Sequence, residues 1–388
     1  MGAGQSERLV AIGLMSGTSM DGIDAALIET DGRDFVQPRG FFSQPYDEPM
    51  RARLRAAIAA ALDMERPAAH AQIDAVARDL TLAHAAAVKA LLAQTGVAAA
   101  DVALVGFHGQ TIAHRPDRRW TWQIGDGGLL ARETGIACVH DFRSADVASG
   151  GQGAPLAPAY HRALVSGFRS EGPVAVLNLG GVGNITWFTG EEWTTSAEAD
   201  KWATSAEADK WGSFDTGPGN ALIDDWVRAA TGASHDADGA LAASGKVDTS
   251  VLAALAGNAW FALPPPKSLD RNAFDPAPAR ALAAADGAAT LTAFTAQSVA
   301  LALRHVPVTP QRLLVCGGGR HNPTLMAMIA DRTGVPTEPV ESAGWNGDAL
   351  EAEAFAYLGV RSLRGLPISF PQTTGVCTPM TGGAISRP

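Results

Sequence analysis

The sequence has few cysteines and no long apolar run, and each shortage excludes a class of protein. Among 388 residues there are three cysteines, Cys138, Cys316 and Cys377, too widely spaced for a disulfide framework or a zinc motif. We expect them to be buried thiols. No apolar run is long enough to span a membrane, and the polar first residues lack the core of a signal peptide. We therefore expect a cytoplasmic protein with no membrane partner.

Positive charge is also scarce. Lys and Arg total 30 against 40 Asp and Glu, a formal net charge of -10, so no overall positive field attracts nucleic acid. The G-x-x-x-x-G-K-[ST] loop and the H-R-D and D-F-G motifs of protein kinases are absent. An anionic ligand must therefore be held by local groups such as backbone N–H donors, helix N-termini and a divalent cation.

Apolar runs with strand character end repeatedly in glycine-rich turns, and alanine-rich helical stretches lie between them. The strand-like runs are 9–14, 24–28, 102–107, 174–179, 185–188 and 313–316. The helical stretches are 50–62, 72–92, 156–165, 221–230, 291–305, 322–332 and 350–358. Strands mixed with helices favour an α/β architecture with ligand-binding loops at strand ends.

A strand, a glycine turn and a returning strand form a unit that occurs twice, near Leu9 and near Val174. A chain of this length exceeds one ordinary core, so the repetition predicts two similar lobes with a cleft between them. A tandem duplication between Trp193 and Trp211 indicates an expanded surface loop or a local helix. The predicted lobes are lobe I over 1–140, with 350–388 packing back on it, and lobe II over 141–349, with the loop at 190–212.

Three glycine turns follow apolar runs, at residues 16–22, 180–181 and 317–319. Glycine lets several backbone N–H groups converge on a phosphate without side chains in the way. An ordinary hairpin turn explains the first of them equally well. Three such turns in one chain favour a phosphate-binding function.

Asp215 lies among turn residues just before a predicted helix, for which Asn220 is a suitable N-cap. The sequence allows two interpretations of Asp215: a residue that forms a turn, or a carboxylate held at a strand–helix junction as a general base. Arg143 follows a strand-like run and could bind a carboxylate or phosphate, or pair with Asp141 to hold a loop. His108 and His140 lack partners at metal-ligand spacing, which favours structural roles.

Glu351 and Glu353 open a predicted helix, a position where the helix dipole favours acidic residues in any case.

Nine motifs occur in one order over nearly the whole chain. They are MSGTSMDG (15–22), GFHGQT (106–111), QIGD (123–126), DFR (141–143), GGQGAPL (150–156), LNLGG (177–181), FDTGPGN (214–220), PPKS (265–268) and CGGG (316–319). Together they closely resemble the anhydro-N-acetylmuramic acid kinases. The resemblance implies the two-lobed α/β fold of the actin-like ATPases, a duplicated ribonuclease H-like fold with a central nucleotide cleft.

The resemblance also implies a reaction. ATP, with Mg²⁺, would phosphorylate O6 of 1,6-anhydro-N-acetylmuramic acid while water opens the anhydro bridge, giving N-acetylmuramic acid 6-phosphate and ADP in peptidoglycan recycling. A homodimer is implied in the same way. Two alternatives are a kinase for another anhydrosugar such as levoglucosan, and a non-catalytic actin-like nucleotide switch.

Site residues follow from the same resemblance. It implies that Asp215 is the catalytic base, that Glu351 is a second catalytic acidic residue, and that Arg143 is a candidate for the lactyl carboxylate. Gln123 and Asp141 are further expected sugar contacts, and the metal ligands are not assigned. The expected ATP contacts are Gly17, Thr18, Ser19, Met20, Asp21, Gly22, Ile23, Asp24, Gly180, Gly181, Gly317, Gly318 and Gly319.

Overall fold

The computed structural model describes residues 7–17, 19–168, 172–190, 210–270 and 273–388. Its strands are β1 (Leu9–Ser16), β2 (Gly22–Thr30), β3 (Val36–Pro45), β4 (Leu104–Arg115), β5 (Trp120–Ile124), β6 (Cys138–His140), β7 (Val174–Leu179), β8 (Val182–Phe188), β9 (Trp211–Pro218), β10 (Arg312–Cys316), β11 (Thr337–Pro339) and β12 (Ala384–Ser386). Its helices are α1 (Glu48–Leu62), α2 (Ala71–Thr95), α3 (Gly127–Thr134), α4 (Ser144–Ala148), α5 (Pro158–Val165), α6 (Ala221–Thr231), α7 (Ala240–Ser244), α8 (Thr249–Ala256), α9 (Ala284–Ala302), α10 (Pro323–Thr333), α11 (Leu350–Leu363) and α12 (Pro371–Thr374).

The described residues form two compact units, one of residues 7–17, 19–167 and 349–388 and the other of residues 168, 172–190, 210–270 and 273–348. Residues 141–167 thus belong to the first unit, whereas the sequence analysis assigned them to lobe II. The reason is that β6 pairs with β4, and the following helix α5 packs on α11 of the same unit. The loop expected at 190–212 lies mostly outside the described residues.

Both sheets use the same strand order. In the first unit β3, β2, β1, β4 and β6 are successive neighbours, and in the second unit β9, β8, β7, β10 and β11 take the same places. The first three strands of each set are antiparallel, and the remaining two run parallel to the central strand. This confirms the prediction that one α/β plan occurs twice.

Helices cover both faces of the first sheet. Ile12 and Leu14 of β1 share a buried cluster with residues of α1 and α2. Because side chains alternate along a strand, Gly13 points to the other face, which α11 covers. A Cβ added to Gly13 would lie 1.8 Å from the Ala352 carbonyl oxygen. The helix and the strand therefore touch backbone to backbone.

Side-chain caps define several helix ends. Asp47, Asp126 and Asn322 accept hydrogen bonds from N–H groups in the first turns of α1, α3 and α10. Gly135 and Gly334 end α3 and α10 in the left-handed conformation that glycine adopts without strain. Such local signals support the helices predicted at 50–62 and 322–332, whereas α3 was not predicted.

Two differences from the prediction affect the site, namely the end of β4 and the position of Asp215. β4 does not end at Phe107 but continues to Arg115, because residues 110–115 pair with β5 beyond the left-handed Gly109. Asp215 lies within β9 and not in a loop, because pairing with β8 holds this turn-rich segment extended.

Cys138 and Cys316 are buried as expected, but Cys377 is exposed. In the described part of the chain, no helix is both long and apolar enough to cross a membrane.

Candidate active site

The first glycine turn joins β1 to β2 in the first unit. The carbonyl oxygen of Gly17 accepts hydrogen bonds from Met20 N at 3.1 Å and from the Gln110 side-chain amide at 3.0 Å. Among the described residues, no atom would lie closer than 3.4 Å to a Cβ added to Gly17, so a ligand has room beside this residue. Of the remaining predicted contacts, Thr18 lies outside the described residues, Ser19 and Asp21 are exposed, and Gly22, Ile23 and Asp24 already belong to β2.

The other two glycine turns meet in the second unit. β7 and β10 are parallel neighbours, so the turns that follow them, residues 180–181 and 317–319, lie at the same sheet edge. Asn220 lies against both turns. Its side-chain amide donates to the Leu179 carbonyl at 2.8 Å, and its backbone N–H donates to the Gly180 carbonyl at 2.7 Å. Asn220 occupies the N-cap position of α6, as the sequence suggested. Its side chain, however, accepts no hydrogen bond from the first turn of that helix.

The glycines of these two turns serve two different purposes. Gly317 has φ +75°, and a Cβ there would lie 2.7 Å from the Leu179 carbonyl oxygen, so the backbone requires glycine. A Cβ on Gly180 or Gly181 would instead come no closer than 3.8 Å to any atom of the described residues. The backbone is therefore open to a bulky anion at Gly180 and Gly181, as a phosphate group requires.

Asp215 is held on β9 by two donors. Asn184 of β8 donates its side-chain amide to Oδ1 at 2.9 Å, and the Leu269 N–H donates to Oδ2 at 2.7 Å. Burial raises the pKa of Asp215 to about 6, although both hydrogen bonds act in the opposite direction. The carboxylate is therefore mostly ionised at neutral pH and basic enough to accept a proton.

Asn184 is a functional candidate that the sequence analysis missed. The Ser213 hydroxyl lies 3.1 Å from Asn184 Oδ1, and this contact orients the amide so that its NH₂ group faces Asp215. Asn184 and Asp215 are direct partners in the β8–β9 register. Finding this pair from sequence would have required both the β9 strand and its register with β8.

A cavity of about 280 Å³ lies in the first unit. Phe107 and Trp122 supply apolar surface, and Gln123, His140 and Asp141 supply polar groups. Asp141 has φ +57°, an uncommon conformation that presents its exposed side chain at the end of β6. Two expected sugar contacts, Gln123 and Asp141, therefore line one cavity of a size that suits a small ligand.

Arg143 is anchored within the first unit. Its Nε and Nη2 donate to His108 Nε2 at 3.1 and 3.0 Å, and Nη1 donates to the Gly153 carbonyl at 2.7 Å. Because His108 Nε2 accepts, the ring proton is on Nδ1 and donates to the Gly109 carbonyl at 2.7 Å. Burial and then the Arg143 charge hold the pKa of His108 well below its usual range, so the ring is neutral.

The two glutamates at the start of α11 differ in environment. Glu351 is exposed, and its charge raises the pKa of Arg143 against the larger lowering effect of burial. Glu353 is buried, and its Oε2 accepts a hydrogen bond from the Tyr160 hydroxyl at 2.6 Å. Burial raises the pKa of Glu353 to about 7. Both glutamates lie in the first turn, where the helix dipole favours them equally, so the sequence could not predict which of the two is buried.

Two sheets of one strand order, with glycine turns at their strand ends, define the duplicated ribonuclease H-like fold of the actin-like ATPases. Within this class, the chain belongs to the anhydro-N-acetylmuramic acid kinase family, whose family model matches residues 9–388.

Curated relatives named anhydro-N-acetylmuramic acid kinase cover nearly the whole chain. The relative from Rhizorhabdus wittichii is 59% identical over 381 residues, 98% of this chain and 100% of that protein. The relative from Rhodospirillum rubrum is 52% identical over 96% of this chain and 93% of that protein. Among solved structures, a ROK family glucokinase from Streptomyces griseus aligns with a TM-score of 0.39 and 13% identity, over 90% of this chain and 98% of that chain. That likeness is too distant to support an inference about the site.

Proposed function

We propose that this protein is an ATP-dependent kinase that opens 1,6-anhydro-N-acetylmuramic acid with water and phosphorylates O6, in peptidoglycan recycling. Family membership supports the reaction, and one observation supports the chemistry. Asp215 is a half-buried carboxylate fixed by two donors, on the same unit as two glycine turns. The products are N-acetylmuramic acid 6-phosphate and ADP.

In this reaction Asp215 is the general base. It takes a proton from the water that attacks the anomeric carbon, and the bond from that carbon to the bridging oxygen breaks. The released O6 forms a bond to the γ-phosphorus of ATP, whose bond to the ADP oxygen breaks. Because the phosphoryl group accepts O6 directly, the site needs no separate acid to protonate the leaving oxygen. Glu351 is proposed as a second catalytic acidic residue.

ATP phosphates are proposed to bind the turns at 17–24, 180–181 and 317–319. The open space beside Gly17, Gly180 and Gly181 supports this assignment. Mg²⁺ would neutralise charge on the phosphates during transfer. Among the described residues no cluster of three or more His, Cys, Asp or Glu side chains could hold a metal ion. This fits an ion held mainly by ATP and water with one or two carboxylates.

The sugar is proposed to contact Gln123 and Asp141 in the cavity of the first unit. Trp122 adds an apolar surface of the kind that sugar rings pack against. Arg143 remains a candidate for the lactyl carboxylate. Its contacts with His108 and Gly153 use three of its five N–H donors, which leaves two for a ligand. We further propose a cytoplasmic homodimer.

The direct test is ADP release with and without 1,6-anhydro-N-acetylmuramic acid, with the products identified by mass spectrometry. Sugar-dependent ADP and a product that has gained both water and a phosphoryl group would support the proposal. ADP release that depends on levoglucosan alone would identify another anhydrosugar kinase. ATP binding without turnover on either sugar would favour a nucleotide switch.

The acid limb of the pH profile should reflect Asp215. A base works only when deprotonated, and burial raises the pKa of Asp215 to about 6. We therefore expect kcat/KM to be level above pH 7 and to fall toward a tenfold loss per pH unit below 6. Steady-state rates between pH 4.5 and 8 would measure this. A limb near pH 4 would contradict the assignment of a buried base.

Asn184→Ala should move that limb to higher pH. The substitution removes a hydrogen bond that stabilises the ionised carboxylate, a contribution of about 1.5–3 kcal/mol, or roughly one to two pH units. Activity should recover at alkaline pH. Gln297→Ala is the matched control, because that amide contacts Arg332 in the same unit. An unshifted limb in Asn184→Ala would show that Asn184 does not tune Asp215.

A further inference from the structure

Arg320 follows the glycine turn at 317–319 directly, and its side chain is 3% exposed. A guanidinium this deeply buried needs polar partners for its N–H groups. It has three of them. Nη1 donates to the Gly317 carbonyl at 3.0 Å, Nε to Glu341 at 2.9 Å and Nη2 to Asp348 at 2.7 Å.

The segment 341–348 is shaped to receive this side chain. A Cβ added to Gly347 would lie 2.4 Å from Arg320 Nε, so only glycine allows the close approach of the backbone. The N–H of Gly347 also donates to Glu341 Oε1 at 3.2 Å, the oxygen that accepts from Arg320. Backbone and side chains of this segment therefore fix the guanidinium in one position.

The 317–319 turn consists of three successive glycines. Glycine has the greatest backbone freedom of any residue type, so holding this turn in one conformation for a ligand costs conformational entropy unless other groups already fix it. The Gly317 carbonyl accepts both Nη1 and the backbone N–H of Arg320. Because the peptide unit is planar and trans, fixing this carbonyl aims the Gly318 N–H in the opposite direction. Arg320 therefore sets the direction of a donor in the turn.

We propose that Arg320 is a positioning residue that holds the 317–319 turn in the conformation that binds a nucleotide phosphate. The proposal rests on the proposed function of this turn. Arg320 acts through the backbone and makes no contact with the nucleotide itself. Its loss should weaken nucleotide binding and leave the handling of the sugar unchanged.

The test compares Arg320→Lys with the matched control Arg332→Lys. Arg332 lies on α10 of the same unit and donates to Gln297, away from the turn. For Arg320→Lys we expect the KM for ATP and the Kd for ADP, measured by calorimetry without sugar, to rise about tenfold, since one ammonium cannot replace a three-way fork. We expect kcat and the KM for the sugar to change less than about twofold, and Arg332→Lys to match the wild type.

Glu341→Gln provides a second variant in case Arg320→Lys fails to fold. It keeps Arg320 and removes one charged partner, so a smaller rise in the Kd for ADP is expected. Wild-type affinity for ADP in every folded variant would overturn the proposal, as would a kcat that falls while the affinity stays constant. If the wild-type protein binds ADP but shows no sugar-dependent turnover, the proposed reaction fails while the role of Arg320 in binding still stands. If the wild type binds no ADP, both fail.

Discussion

Asp215→Asn is expected to lower the sugar-dependent kcat by about 10²–10⁴-fold, the usual contribution of a positioned general base. The amide has nearly the same shape as the carboxylate but cannot accept the proton from water. The NH₂ group of the new asparagine must face one of the two donors, either the Asn184 amide or the Leu269 N–H. This mismatch should cause a small loss of stability. The measurement is ADP release at saturating ATP and sugar, at a pH well above 6.

Two controls make this result specific. Asp225→Asn changes an exposed carboxylate on α6 that pairs with Arg228, and it should retain wild-type turnover. Binding of ADP to Asp215→Asn should match the wild type, because Asp215 contacts water and sugar in the proposed mechanism and not the nucleotide. Turnover of Asp215→Asn within tenfold of the wild type would remove Asp215 from the role of base.

Gly13→Ala is expected to destabilise the first unit by about 3 kcal/mol, at the upper end of the usual range for overpacking. The new Cβ would lie 1.8 Å from the Ala352 carbonyl oxygen and 2.4 Å from Ala356 N. Both atoms belong to the backbone of α11, so no side-chain rotation can relieve the clash. The helix must move away from β1 and lose contacts along its length.

Scanning calorimetry would measure this effect as a lowered transition temperature. The control is Gly167→Ala, because no atom of the described residues lies within 4 Å of a Cβ added there, and the φ of Gly167 is not positive. The control should have the same transition temperature as the wild type. An unchanged transition temperature for Gly13→Ala would contradict the backbone contact between β1 and α11.

The sequence was most informative where local chemistry determines structure. The twofold plan could be predicted because each β1–β2 and β7–β8 hairpin places an apolar run on either side of a glycine turn. Helix ends could be predicted in the same way, because Asp47 and Gly334 act within one turn of their own helices. These signals depend on residues that are close neighbours in the chain.

Contacts between distant residues could not be predicted. β9 contains two glycines and a proline, a composition typical of a turn, and it is extended only because β8 pairs with it. The roles of Asn184 and Asn220 depend on partners 31 and 41 residues away. For Arg143 the sequence left open a ligand-binding role and a pair with Asp141. Nothing in it indicates that His108, 35 residues earlier, lies beside Arg143.

The contact between Gly13 and α11 also has a consequence for biosynthesis. β1 ends at Ser16 and the helix that covers it begins at Leu350, so β1 leaves the ribosome long before α11. The described residues of the second unit all lie between residues 168 and 348, so this unit is complete before α11 is made and can fold while translation proceeds. One face of the sheet in the first unit stays uncovered until α11 has been synthesised. A premature stop codon before α11 therefore leaves that face permanently exposed. We expect chaperones to bind such fragments or proteases to degrade them.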